Sequence, residues 1–186
     1  MPSINAAKIL IMATNGFEQS ELEVPRDKLR AAGATVHVAS PSGDAIKGWD
    51  KTDWGQKADV DLKISNVSVA DYDAVVLPGG QINPDQLRTD TDAVAHIKAF
   101  ADAGKIVAAI CHGPWLLVEA GVAKGREMTS FPSIRTDLRN AGANVVDKEV
   151  VCDNGIVTSR NPDDLDAFVA KIIEEVEEGR HERTAA

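Results

Sequence analysis

Four short apolar runs constrain this chain most: KILIMA at residues 8–13, AVVL at 74–77, IVAAI at 106–110 and IVTS at 156–159. Each is too short for a core helix and runs straight into turn-forming residues, so each reads as a buried strand. The breaks are Asn15-Gly16, Pro78-Gly79-Gly80, Cys111-His112-Gly113-Pro114 and Arg160-Asn161-Pro162. Helical patterns alternate with them. Residues 19–32 place Leu22, Leu29 and Ala32 on one side and stop at Gly33; residues 89–103 stop at Gly104, 114–120 at Gly121, and 133–141 at Gly142. Strands that alternate with helices form βαβ units, and so a mostly parallel sheet covered on both faces.

Smaller signals complete the order. TVHVAS at 35–40 alternates and is β-branched, a further strand; residues 41–69 carry three glycines and several aspartates and read as loops with room for a hairpin. Segments 145–152 and 156–159 flank Asp153-Asn154-Gly155, and Asn-Gly favours a two-residue hairpin turn. Asn161 is placed as an N-cap, with Pro162 at the first helical position and Asp163 and Asp164 at the positive end of a helix running to about residue 178.

With 186 residues and 44% hydrophobic content, the chain fits one domain, 1–186, with a core of about 8–175 and a polar, frayed tail at 179–186. The formal net charge of −9 and the lack of any Lys/Arg cluster argue against a nucleic-acid partner or an anionic membrane surface. No apolar run approaches the ~18 residues of a membrane span, and the first residues, MPSINAAKILIMATN, read as a strand rather than a signal peptide. A cytoplasmic location is expected. Cys111 and Cys152 are then expected to be reduced, and without a CxxC or a histidine cluster no structural zinc is expected.

In an open α/β sheet, sites form at the carboxyl ends of the strands. That rule brings three segments to one edge: residues 15–18, 78–80 and 111–113. Ala109-Ile110-Cys111-His112-Gly113 has the small-x-nucleophile-x-small spacing of a nucleophile elbow. The turn would lift the sulfur out of the core near a helix N-terminus, whose free N–H groups favour a thiolate. A buried structural cysteine fits the spacing equally well. Backbone N–H groups at Gly79 and Gly80 could serve as oxyanion donors, or simply close a turn. Glu18 could face the thiol, or complement a helix dipole.

ICHGP, then LLVEAGVAKGREMTS, then DKEVV and DNGIVTSRNPDDL together resemble the DJ-1/PfpI superfamily, in its PfpI-like branch. Phe17-Glu18, Glu21 and Pro25 match its first loop and helix, and Val76-Leu77-Pro78-Gly79-Gly80 its diglycine loop. The resemblance covers residues 8 to 175. It implies a flavodoxin-like three-layer α/β sandwich related to class I glutamine amidotransferase domains. It also implies Cys111 as nucleophile, Glu18 as its hydrogen-bond partner, His112 as base and a backbone donor, and Asp85 of a neighbouring subunit as the acid that orients His112. A homo-oligomer with a small-molecule or peptide substrate follows, without metal or organic cofactor. Peptidase, deglycase or glyoxalase chemistry on methylglyoxal adducts, and a non-catalytic redox-sensor or chaperone role, all stay open.

A glutaminase would need a downstream His-x-Glu, and His37, His96, His112 and His181 do not supply one. Trp49, Trp54 and Trp115 could line a pocket, with packing the plainer role. Arg160 could bind a carboxylate, with a salt bridge to Asp163 or Asp164 the plainer account. Cys152 reads as inert packing on an edge strand.

Overall fold

The computed structural model describes residues 3–182. A seven-stranded sheet runs through the middle. In chain order the strands are β1 (Lys8–Met12), β2 (Phe17–Glu18), β3 (Thr35–Ser40), β4 (Ile46–Asp50), β5 (Asp53–Ala58), β6 (Leu62–Lys63), β7 (Ala74–Leu77), β8 (Ile106–Ile110), β9 (Glu127–Met128), β10 (Asn144–Val145), β11 (Val150–Asp153) and β12 (Ile156–Ser159). The helices are α1 (Gln19–Ala31), α2 (Ile82–Leu87), α3 (Thr91–Asp102), α4 (Pro114–Glu119), α5 (Arg135–Asn140) and α6 (Leu165–Glu178). The sheet order is β11-β12-β8-β7-β1-β3-β6. All neighbours are parallel except β11, which returns antiparallel on β12 through Asn154-Gly155, both at positive φ. That is the hairpin the dipeptide predicts.

The apolar runs divide by the period of a strand. Ile9 and Ile11 of β1 join Val76, Ala108 and Ile110 in one cluster, closed by Leu22 and Leu29 of α1 and Phe168 and Ile172 of α6. Leu10 and Met12 face the other way with Val75, Leu77, Val107 and Ala109, under Ile97 and Phe100 of α3, Leu116 and Leu117 of α4, and Leu138 of α5. Each strand is buried on both sides, which is why its sequence reads as a continuous apolar run.

Three expectations shift. The helix over 133–141 begins as a 3₁₀ turn at Pro132–Ile134 and becomes α-helical only from Arg135. The strand over 145–152 is broken: β10 pairs with β9 away from the main sheet, and β11 starts at Val150. The tail is not frayed at residues 179–182. His181 donates its N–H to Gly104 O at 2.9 Å, and Asn154 Nδ2 donates to Glu182 O at 3.0 Å. Residues 183–186 lie outside the described residues. Residues 41–69 do hold a hairpin, β4–β5, which pairs with β2 and stands beside the carboxyl edge of the sheet.

Candidate active site

β8 delivers Cys111 to the carboxyl edge, and the chain turns sharply there. Cys111 has φ +64°, a left-handed conformation that a non-glycine residue holds only when its surroundings force it, at a cost of about 1–3 kcal/mol. Its surroundings do force it. Cys111 N–H donates to Ser159 O (3.0 Å), Phe131 N–H donates to Cys111 O (2.9 Å), and Gly113 N–H donates to Ile110 O (2.8 Å). The elbow is therefore pinned by β12 and by the segment after β9.

The carboxyl beside the sulfur is Glu21, not Glu18. Glu21 is fully buried on the inner face of α1, and its side chain hydrogen-bonds the Cys111 thiol. Its Oε2 accepts the Gly79 N–H at 2.7 Å, and its buried Oε1 has no nitrogen or oxygen partner among the described residues. An oxygen that carries a proton toward sulfur fits that position. Burial pushes the Glu21 carboxyl up to about 8, aided by the charge of Glu18 and opposed by its hydrogen bonds to Gly79 and Cys111. Glu18 sits one helical turn earlier, as the residue before α1, and stays part-exposed on the wall of the cleft. Its carboxyl is also raised, first by burial and then by Asp50. The two acids are three residues apart, so the exact start of α1 decides which of them points inward.

The diglycine loop is held from beneath by Asn83. Its Nδ2 donates to Pro78 O (2.9 Å) and Gly79 O (3.2 Å), while its Oδ1 accepts the Thr14 N–H at 2.7 Å. A Cβ on Gly79 would lie 2.6 Å from Glu21 Oε2 and 2.7 Å from Cys111 Cβ. Gly80 has φ +79°, and a Cβ there would lie 2.7 Å from Glu18 N. No side chain fits at either position. Gly79 gives its N–H to Glu21 and is not available as an oxyanion donor. The N–H groups that reach the sulfur are those of Gly80 and His112.

His112 is 4% exposed and its Nδ1 lies 3.2 Å from Cys111 Sγ. Its other ring nitrogen, Nε2, meets Ser133 Oγ at 3.1 Å. Phe131 stacks on the ring at 4.7 Å and Trp115 meets it edge-on at 5.3 Å. Burial lowers the imidazole pKa, so the ring is neutral and able to take a proton. Within one chain, Ser133, Phe131 and Trp115 are the groups that hold the His112 ring. Asp85 is exposed in the first turn of α2 rather than on a loop. Ser133 stands in no recognisable motif; only the fold brings the turn after β9 over the elbow.

The residues matched by the DJ-1/PfpI family model run from 7 to 175. This chain belongs to the DJ-1/PfpI family. It is 45% identical to General stress protein 18 of Bacillus subtilis over 87% of this chain and 92% of that one. It is 43% identical to the deglycase TK1284 of Thermococcus kodakarensis over 89% of this chain and 97% of that one. Among solved structures, a two-domain protein of Anabaena variabilis with DJ-1/ThiJ/PfpI-like and ferritin-like domains superposes with TM-score 0.87 at 32% identity. That match covers 92% of this chain and 48% of the two-domain chain.

In this DJ-1/PfpI domain the elbow opens into a cavity of about 470 Å³. Glu18, Glu21, Cys111, His112 and Phe131 form its inner wall, and Trp49 and Lys51 of the β4–β5 hairpin its outer one. Of the three tryptophans, Trp49 lines the cavity and meets Trp54 edge-on at 5.6 Å, while Trp115 supports His112 from outside the cavity. Arg160 is taken up by ion pairs to Asp164 (2.9 Å) and Asp147 (3.0 Å), which accounts for it structurally. Among the described residues no helix is long and apolar enough to cross a membrane.

Cys152 lies half-buried on β11, and its thiol donates to the Glu175 carboxylate. Burial and Glu175 push it up to about 12. Burial raises the Cys111 thiol even further, and an ionised Glu21 would raise it too; a Glu21 that keeps its proton up to about pH 8 removes that repulsion and leaves the N–H groups of Gly80 and His112 facing the sulfur. Limiting iodoacetamide at pH 7 should therefore modify Cys111 before Cys152, as read by peptide mass mapping. Faster labelling of Cys152 would show that Glu21 is ionised and repels the Cys111 thiolate.

Proposed function

We propose that this DJ-1/PfpI protein is a cysteine-dependent hydrolase acting on small α-oxoaldehydes and their adducts. The observation that carries this reading is the convergence of Cys111, His112 and Glu21 with two backbone N–H groups at one edge of a small cavity. About 470 Å³ suits a small molecule or one modified side chain better than an extended peptide. The relative named as a deglycase points the same way.

The chemistry follows from the groups present. His112 Nδ1 takes the thiol proton, and the Glu21 O–H steadies the thiolate. The sulfur attacks the aldehyde carbon; a C–S bond forms and the carbonyl π bond breaks. The oxyanion forms beside the N–H groups of Gly80 and His112 and takes its proton from the imidazolium, giving a thiohemiacetal. With methylglyoxal, His112 removes the proton on that carbon and returns one at the neighbouring ketone carbon. The resulting lactoyl thioester is hydrolysed by water, which frees lactate and the thiol. The test is lactate formation from methylglyoxal by purified wild type, with peptide cleavage assayed beside it. Cleavage of peptides without lactate formation would assign the site to peptidase chemistry.

The observation that the buried Glu21 Oε1 lacks a nitrogen or oxygen partner among the described residues favours one second reading, a redox sensor. Oxygens added to Cys111 by peroxide would find a donor there. Mass change at Cys111 under dilute peroxide, with no turnover of either substrate class, would support it over the hydrolase.

The working unit is proposed to be a homo-oligomer in which Asp85 of a second copy acts on His112. The exposed position of Asp85 on α2, and the packing of α2 against α4 with its Trp115, support this. Mixing inactive Cys111→Ser with Asp85→Ala, once subunit exchange is shown with tagged chains, should restore part of the activity. Exchange without restoration, or a fully active monomer in ultracentrifugation, overturns the shared site.

A further inference from the structure

A second cluster of chemistry-bearing side chains lies away from the catalytic cavity, where α6 ends. Glu175 and Glu178 are one turn apart on α6, and the irregular segment after Gly179 brings His181 back beside them. One ligand atom from each lies within 4.8 Å of the others. Glu175 is only 5% exposed, although its carboxylate makes no bond to a backbone N–H or to a lysine or arginine among the described residues. Its Oε2 and the His181 Nε2 are 2.9 Å apart, yet both are buried without hydrogen-bond geometry toward any group. The two atoms face one another as an ion pair without hydrogen-bond angles, and a cation that takes both as ligands would replace that contact. Ligand atoms held at ~2.0–2.2 Å from one tetrahedral Zn²⁺ ion lie about 3.3–3.6 Å apart, so these two side chains would part by roughly half an ångström to take the ion between them.

The surroundings prearrange the cluster. His181 is fixed by its backbone, not its ring: its N–H donates to Gly104 O at 2.9 Å, and its own carbonyl packs on Gly104. On the opposite side the Cys152 thiol donates to the Glu175 carboxylate. The nearby Lys171 ammonium is held by Glu174 at 2.7 Å. An imidazole with two carboxylates is a ligand set for borderline divalent cations, Zn²⁺ above all.

We propose that Glu175, Glu178 and His181 form a Zn²⁺-class divalent metal site that fastens the segment after α6 onto the helix. The site is independent of the chemistry at Cys111. The geometry is legible only in the fold, because neither a CxxC nor a histidine cluster marks it in the sequence.

The test uses the full chain stripped with chelator and titrated with ZnCl₂, by calorimetry and by thermal unfolding, with Co²⁺ absorption as a second probe. Wild type should bind one Zn²⁺ per chain, and Cys111→Ser should bind it equally, which separates this site from the catalytic one. His181→Ala should weaken binding by at least ~10-fold and abolish the Zn²⁺-induced rise in Tm. Iodoacetamide labelling of Cys111 should be unchanged in that variant. Glu178 is exposed, so Glu178→Gln keeps the fold and should also weaken binding. Failure of wild type to bind Zn²⁺ below ~100 μM would mean that Glu175 and His181 form a plain ion pair. Wild-type affinity in His181→Ala or Glu178→Gln would overturn the assignment.

Discussion

Cys111→Ser is expected to lower the rate of lactate formation from methylglyoxal by at least ~100-fold with the fold intact, within the range seen when a catalytic group is deleted. The serine hydroxyl fills nearly the same space and can occupy the same strained backbone. The pins on the elbow, from Ser159, Phe131 and Ile110, are all backbone groups and are untouched. What disappears is an easily ionised nucleophile. His112, neutral because burial lowers its pKa, takes a proton from a thiol far more readily than from an alcohol, which is several orders of magnitude less acidic. Circular dichroism and Tm should match wild type. Undiminished activity in the folded variant would place the chemistry elsewhere.

Glu21→Gln is expected to have the second-largest effect, and in two measurements. The first is Cys111 reactivity. In wild type the buried pair shares a proton, and the macroscopic steps belong to both groups. A protonated Glu21 donates a charge-assisted hydrogen bond to the thiolate, whereas a glutamine N–H is a weaker donor. The apparent pKa for Cys111 alkylation should therefore rise in the variant, and the rate at pH 7 should fall by roughly tenfold. An unchanged pH profile would mean that Glu21 does not govern the thiol.

The second measurement is stability against pH. The Glu21 carboxyl titrates near 4.5 when unfolded and at about 8 in the fold. Between those values the folded chain holds a proton that the unfolded chain has released. Its contribution is fully present below about pH 4.5 and is lost progressively as the pH rises through about 8. The slope reaches about 1.4 kcal/mol per pH unit. Denaturant unfolding at pH 5, 6.5 and 8 should show this decline in wild type and a flatter profile in Glu21→Gln. Equal slopes in the two proteins would show that Glu21 is ionised in the fold across this range.

Local sequence determined the architecture. The continuous apolar runs at β1, β7, β8 and β12 demand burial on both faces, and helices between them can provide it only around a parallel sheet. The glycines after β7 and the small-x-Cys-x-Gly corner after β8 mark where backbone must approach closely, and Cys111 at φ +64° is the result. These are short-range steric and hydrophobic demands, so they are written in consecutive residues. Tertiary structure decided what depends on direction across a distance. Glu18 and Glu21 are equivalent acids at the head of α1 until the docking of that helix turns Glu21 onto the sulfur and leaves Glu18 on the cavity wall. Ser133 reaches His112 from twenty-one residues away, across a turn with no signature of its own. Gly79 loses its free N–H to Glu21, which no reading of the loop alone could foretell. His181 meets Glu175 because Gly104, far back in the chain, captures its backbone. Hydrogen bonds and metal ligands require angles and distances between segments that pack together only at the end of folding, and for that reason residue order does not encode them locally.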